Sequence, residues 1–600
     1  MTGRDAAGLT VRVDGRVLSA ECSAALAWAC VQEDGVDSAH AEIGFWDPYQ
    51  ASVLAATGIG LGSGITLTAH TQDGPHEIFE GEVTGCEARA AAESAGSRTS
   101  GSGLLSVVRV EDLAHRLRRG ARTLTYHEMS ADQIVQKVAD LAGVPTGVLD
   151  RTPVVYEFLT QPAMSDWDFL GHLARENGRD LYLREGKLHF REPARASLAP
   201  SLSSPSQNPF ALRFGQNLVK VSSAATLRDQ VREVTVRGWD PEGKRPLFAR
   251  QAPGGSPGHE SAWQARPTAV RGEPLLLTGL PRGSQSEVED VAEVMAREVS
   301  AGLIRLRAVV HGEPRLRLRS AVSLSGLGKR FEGRYTVAAV RHEYHPESGY
   351  LTELTVGGRT GTDAAGPCGA EAALRRFHGL HPGTVVNIKD ERGQGRVKLA
   401  LPWLSPEYES NWARTVQLGG SRGHGVVVPE VGDEVLVGFE QGCLDRPYVL
   451  GGLYNGVDRV APHAIDLVDG GKGTANRRSF ASKEGHRLEL LDAGAPGMGA
   501  ALVTGDGKLR IRLDQHSTVI SVLSDGTVEI TAAKGIVLDA GRAPLELKGG
   551  KVTVNASEAL ELSGTKVDLR GGDVRLDASA SMDIKGGALA KVSAALVKIN

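Results

Sequence analysis

From Thr527 onward the chain repeats one small unit. The segment TVEITAAKGIVLDAGRAPLELKGGKVTVNASEALELSGTKVDLRGGDVRLDASASMDIKGG carries apolar residues in pairs, two positions apart. The pairs are Val528/Ile530, Ile536/Leu538, Leu545/Leu547, Val552/Val554, Leu560/Leu562, Val567/Leu569, Val574/Leu576 and Met582/Ile584. About seven to nine residues separate one pair from the next, with Gly, Ala, Ser or Asp in the gaps. A spacing of two is the period of a strand. Each unit is therefore a short strand with two side chains on one side, and a period this short predicts a β-solenoid or β-helix. Two inward side chains per strand make a thin core, and each strand edge needs a hydrogen-bonding partner. Three interwound copies would pair every strand on both sides and pool their inward side chains. The pattern thus predicts an intertwined trimer rather than a single-chain solenoid, with these sixteen residues as its core.

Upstream, 600 residues leave room for several domains. Glycine is abundant, at 74 residues, and much of it falls between short alternating runs. The expected class is mainly β and multidomain. GLTVRVDGRVL reads as a hairpin turning at Asp14-Gly15. Two helices are expected after residue 130. Ser130 and Ser165 would be their N-caps, with Ile134, Val135, Val138 and Leu141 on one stripe and Trp167, Leu170 and Leu173 on the other. A third helix is expected near 286–301 and more strands up to about 357, whereas 195–280 is hard to read, with Ser, Pro and Gly clusters alternating with strands such as VREVTVRG. AAAESAGSRTSGSG at 90–103 has linker composition, as does the Gly/Ala/Thr-rich stretch 358–369.

Residues 370–457 read as a separate small barrel. The expected strands are GTVVNI, GRVKLAL, ARTVQLGG, GVVVPEV, DEVLVGFE and YVLGGLY. So many short strands in so few residues fit a closed barrel such as an OB-fold. Residues 458–500 are polar and turn-rich.

Here the chain resembles a known family. GQGRVKLALPWLS, WARTVQLGG and GVVVPEVGDEVLVGFEQGCLDRPYVLGGLYNG are similar to the OB-fold of VgrG proteins and phage baseplate spikes. The motif residues are Gly395, Arg396, Pro402, Trp403, Pro429, Gly432, Asp433, Asp445, Arg446 and Pro447. SDWDFLGHLARENGRDLYLREGKLHF and GLGKRFEGRYTVAAVRHEYHPESGYLTELTV resemble the tail-hub domain of VgrG and late-control proteins. The resemblance implies a tail-hub domain at 1–362, an OB-fold at 370–457, a linker or neck at 458–500 and a triple-stranded β-helix needle at 501–600. It implies a homotrimer that joins the inner tube and baseplate proteins to a piercing tip, with effector cargo as a further partner. It also implies a PAAR-like tip protein seated on the last residues, including Val597, Ile599 and Asn600. Assembly would be cytoplasmic, with exposure outside the cell on firing or release.

Other function classes find little support. No nucleophile–base pair or P-loop is expected, and the gap between barrel and needle is short for a lysozyme-type domain. No catalytic residue, cofactor or metal site is expected. His378 and His381 form an H-x-x-H pair without further ligands at a recognisable spacing. The five cysteines form no C-x-x-C pair. HRLRRGAR at 115–122 reads as a solvated helix end or a contact to a neighbouring subunit. A net charge of −4 gives no basic field for nucleic acid, and no apolar run is long enough to span a membrane. Two rivals remain: a spike-borne enzyme acting on envelope polymers, and an OB-fold that binds nucleic acid using Trp403 and Trp412.

Overall fold

The structure is a computed structural model that describes residues 8–34, 38–47, 52–91, 103–201, 208–254, 259–261, 270, 273–279, 281–357, 376–420, 425–494 and 497–599. Two compact units divide the chain, Met1–Val460 and Ala461–Asn600.

In the first unit, strand Leu9–Val13 turns onto Arg16–Val17, and Val13 pairs with Arg16. Asp14 and Gly15 have φ of 48° and 80°. Positive φ at both positions is the type I′ geometry that suits Asp-Gly. The hairpin lies at one edge of a sheet of fourteen strands among the described residues. Its two ends in sequence meet where Gly333–His345 pairs antiparallel with Leu26–Glu33. One core gathers Ile43, Phe45, Leu67 and Val108. Another gathers Ile304, Val322, Tyr335 and Leu354.

The two expected helices are Ala131–Ala142 and Asp166–Glu176. Ser130 and Gln133 form a capping box, and Gly143 closes the first helix at φ 65°. Ser165 accepts from the amide of Asp168 at 3.1 Å. These contacts satisfy amides that a helix start leaves without partners. Ile134, Val135, Val138, Trp167, Leu170 and Leu173 share one core. Leu141 instead lies on the solvent side, 53% exposed. The third helix is Gln285–Ala301. It packs through Val288 and Met295 onto Val234, Val236 and Leu247. Those three belong to a small sheet of Val234–Asp240, Arg245–Gln251 and Leu275–Leu277, the first of which overlaps the expected strand VREVTVRG.

The barrel strands are Leu380–Asn387, Lys398–Ala400, Arg414–Thr415, Glu434–Phe439 and Pro447–Gly452. The ladder runs from Lys398–Ala400 across the sheet to Arg414–Thr415. Val397 and Ala413 then exchange two backbone hydrogen bonds, at 3.0 and 2.7 Å, and join its two ends. Val385, Leu399, Leu401, Val435 and Val437 fill the interior. GVVVPEV is not one of the strands. Pro429 has no amide to give to a ladder, and the side chain of Gln417 takes the place of a neighbouring strand. Its Oε1 accepts from the amide of Val427 at 2.7 Å, and its Nε2 donates to the Val427 carbonyl at 3.2 Å.

The second unit holds a five-stranded antiparallel meander: Arg477–Ala481, Arg487–Ala493, Gly497–Val503, Leu509–Asp514 and Val519–Ser524. Three of these strands fall in or across 458–500, the stretch expected to be a linker or neck. After Ser524 the described residues up to 599 form no strand ladder within the chain.

Candidate functional site

The barrel motif residues hold the barrel's corners. Gly395 and Gly432 sit at φ 70° and 99°, where a side chain would be strained. Gly432 donates its amide to the Val385 carbonyl at 2.8 Å, and the Asp433 carboxylate accepts from the amide of Glu430 at 2.8 Å. Arg396 donates to Asp390 at 2.6 Å and lies over the ring of Trp412. That guanidinium holds the Asp390 carboxyl well below the usual range. Pro402 lies in the turn before Trp403, whose indole donates to the Pro382 carbonyl at 2.9 Å.

Asp445, Arg446 and Pro447 turn the chain into the last barrel strand, which begins at Pro447. Burial pushes the Asp445 carboxyl up to about 7, with Thr160 beside it. Arg446 and Cys443 are close neighbours, and burial pushes the Cys443 thiol up to about 12. The Arg446 guanidinium abuts Gly283, so close that a Cβ there would meet it at 2.5 Å. Nearby, half-buried Glu176 pairs with Arg282 at 2.8 Å and with His172 at 3.4 Å. Arg392 adds an exposed ion pair to Glu242 at 2.6 Å.

The side features of the sequence find partners inside the chain. His381 stacks on Trp403 at 4.6 Å and touches Phe377 and Phe439, while His378 is exposed. The pair is therefore split between an aromatic slot and solvent. In the basic cluster, His115 and Arg116 both contact Glu82, and Arg122 pairs with Asp166 at 2.6 Å. Three of its members thus make ion pairs within the chain, while Arg116 and Arg119 remain exposed to solvent. Among the described residues no three His, Cys, Asp or Glu side chains are grouped to hold a metal ion, and no helix is long and apolar enough to cross a membrane.

The second unit looks different. The sixteen residues expected to form a core are not buried within one chain. Val528, Ile530, Ile536, Leu538, Leu545, Leu547, Val552, Val554, Leu560, Leu562, Val567, Leu569, Val574, Leu576, Met582 and Ile584 are each between 49% and 77% exposed. The physical reason is the short unit: with no ladder partner in its own chain, a segment of two apolar side chains has nothing to fold against. Leu538 and Leu576, for example, are 62% and 66% exposed, as open to water as their neighbours in the repeat. Val597 and Ile599 are exposed as well, and Asn600 lies outside the described residues. The meander shows the same thing, which the sequence reading missed. Its register places Phe480, Leu488, Leu502, Ile511 and Val522 in one row across five strands. Every one of them is at least 46% exposed. The signal was present in RLELL, KLRIRLD and TVISVLS, which alternate around Asp506-Gly507 and Asp525-Gly526 turns.

These features have counterparts in known proteins. The family profile of the type VI secretion system/phage-baseplate injector OB domain matches residues 381–454. The chain is 34% identical over 140 residues to the type VI secretion system spike protein VgrG3 of Vibrio cholerae, covering 21% of this chain and 13% of that protein. It is 33% identical over 141 residues to the spike protein VgrG5 of Pseudomonas aeruginosa, covering 21% of this chain and 17% of that protein. The matched stretch is thus a small part of the curated relatives' length. The fold is similar to a chain in a half-lidded Francisella PdpA–VgrG complex, with a TM-score of 0.50 and 8% identity over 87% of this chain and 88% of that one.

A second profile, the Alg8 N-terminal domain, matches residues 59–346. That span keeps Gly64–Thr71 without its partner Leu9–Val13, and Gly333–His345 without its partner Gly349–Val356. It therefore delimits no folding unit.

The closed barrel, the mainly β architecture and the matched stretch are together similar to those of baseplate spike proteins, and the resemblance is to VgrG.

Proposed function

We propose that the chain is the structural hub and piercing spike of a phage-tail-like contractile injection system and works as a homotrimer. The observation that carries this reading is the exposed repeat. Sixteen large apolar side chains at strand spacing lie 49–77% exposed in one chain, and water is a poor partner for such a surface. Two further copies would cover it. In this reading residues 1–362 join inner tube and baseplate, 370–457 form a barrel neck, and 501–600 wind into a needle. A narrow, fully paired needle concentrates the force of sheath contraction on the target envelope. The role is mechanical, so no residue is assigned to catalysis, and effector cargo would travel with the spike.

Val597, Ile599 and Asn600 would belong to the surface on which a PAAR-like tip protein sits. Assembly takes place in the cytoplasm, and firing or release exposes the spike. The first test is the mass of the full-length protein by light scattering. Three times 63.4 kDa is expected, and a stable folded monomer would overturn the reading. Deleting the last ten residues should abolish co-purification of the tip protein and leave the trimer intact.

A further inference from the structure

The small sheet that carries helix Gln285–Ala301 has two unlike faces. Strand alternation turns Val234, Val236, Leu247, Ala249 and Leu277 toward the helix, and each is at most 8% exposed. The residues between them make the other face. The register sets Thr235 beside Leu276 and Arg250. It sets Arg237 opposite Phe248, and Trp239 opposite Pro246. Leu276, Trp239 and Phe248 are 48%, 42% and 58% exposed there. The face is also hollow. A cavity of about 220 Å³ lies among Arg237, Pro246, Phe248 and Arg250, with buried Thr235 in its wall. Sites for whole small molecules are larger, roughly 300–1,000 Å³, so this space suits one or two side chains. Its charges are not balanced. Arg237 is exposed and has no acidic partner among the described residues. Arg250 reaches Glu233 at 3.8 Å and lies over the ring of Phe248. The Thr235 hydroxyl donates to the same Glu233 at 3.2 Å.

We infer that this face docks an acidic, apolar segment of a different protein. A carboxylate of that segment sits between Arg237 and Arg250, and a large apolar residue next to it packs on Phe248, Trp239 and Leu276. Charge complementarity selects the carboxylate. A guanidinium takes a carboxylate through paired hydrogen bonds, and Arg237 finds none within the chain. Trp, Phe and Arg side chains are also those on which contact energy concentrates. A second copy of this face is a poor occupant, because it would set arginine against arginine. A nucleic-acid strand needs a basic track over several residues, and Glu233 interrupts this one. Recognition works through side chains rather than by an added strand. Pro246 has no amide to pair, and Gln285 donates to the Phe248 carbonyl at 3.1 Å. The inference does not depend on the trimeric reading, since every residue in it belongs to the first unit.

The probe is a library of random heptapeptides, amidated at the C-terminus, captured on full-length protein and read by mass spectrometry. Captured peptides should be enriched in Asp or Glu next to Phe, Trp or Leu. An enriched peptide is then titrated by fluorescence anisotropy. Arg237→Glu should weaken its binding by at least about tenfold, the scale of one charged hydrogen bond. Phe248→Ser should do the same. Glu233→Gln removes the carboxylate that competes for Arg250 and should tighten binding about twofold. Arg16→Glu, exposed on the hairpin of the large sheet, should change nothing. If Arg237→Glu melts earlier than wild type, Arg237→Gln replaces it, with the same loss expected. No enrichment of acidic peptides, enrichment of Lys or Arg instead, or equal binding to the Arg237 variant and wild type would overturn the inference. So would a full-length protein that captures no peptide and loses mass in solution on Arg237→Glu, because a second copy would then fill the hollow.

Discussion

The barrel at 380–452 and the repeat at 527–584 are built from the same material, short runs of alternating apolar and polar residues. In the barrel Val385, Leu399, Val435 and Val437 are at most 1% exposed. In the repeat Leu538, Val554, Leu562, Leu569 and Leu576 are more than 60% exposed. Alternation alone therefore does not say whether a strand is finished by its own chain. What separates the two is closure. The barrel's ladder returns on itself at Val397 and Ala413, whereas residues 525–599 find no ladder partner within the chain. Among the described residues the five apolar cores all lie in the first unit.

The largest effect is expected where the proposed cover would bury a charge. Leu562→Asp would bring three carboxylates together near one axis, while Glu561→Lys changes a neighbour on the other side of the strand. The first should cost several kcal/mol of assembled stability and the second little. Equal thermal shifts would erase the distinction between inner and outer positions in the repeat.

Next comes a pair of truncations. Val437→Ala removes two buried methyl groups from a closed core and should cost about 1–3 kcal/mol. Its melting temperature should not depend on protein concentration. Leu547→Ala acts on a face that other copies would complete, so its melting temperature should rise with concentration. Two identical concentration profiles would remove the contrast.

A smaller effect comes from Asp445. Its folded pKa is raised by burial, so the folded state holds a proton that the unfolded chain has released. Stability of the first unit should fall as pH rises from about 4, the ordinary Asp value, to about 7, and then level off. Asp445→Asn should flatten that slope and be the more stable form above pH 7, by an amount on the order of 1–3 kcal/mol. Urea unfolding at several pH values checks it. The smallest effect is Ser165→Ala, which removes a helix cap and should cost about 1 kcal/mol by chemical denaturation.

Much of the first unit was legible because its signals are local. Ser130, Ser165 and Asp14-Gly15 act within a few residues of themselves, and the structure uses them as caps and a turn. Leu141 misled because helical spacing marks a stripe without saying where the stripe ends. GVVVPEV misled because a run of valines looks like a strand, while its neighbour is the side chain of Gln417. The meander was missed because 458–500 was judged by its polar turns, and the strands between them are only five to seven residues long. The contact of Arg446 with Gly283 was beyond reach, since it joins positions distant in sequence. Interfaces were the least legible part: the sequence shows which residues alternate, but not whose surface covers them.

The bare repeat also bears on time. A newly made chain can close the barrel at Val397 and Ala413 alone and at once, a first-order event. In the proposed trimer, covering Val528 to Ile584 would call for encounters between chains, so its rate would depend on how many others are being made nearby. Until then each chain displays strand edges and apolar side chains that any similar segment could capture. Yield of assembled protein should therefore peak at intermediate expression. At low expression encounters are too rare, and at high expression chains meet before their first units have closed.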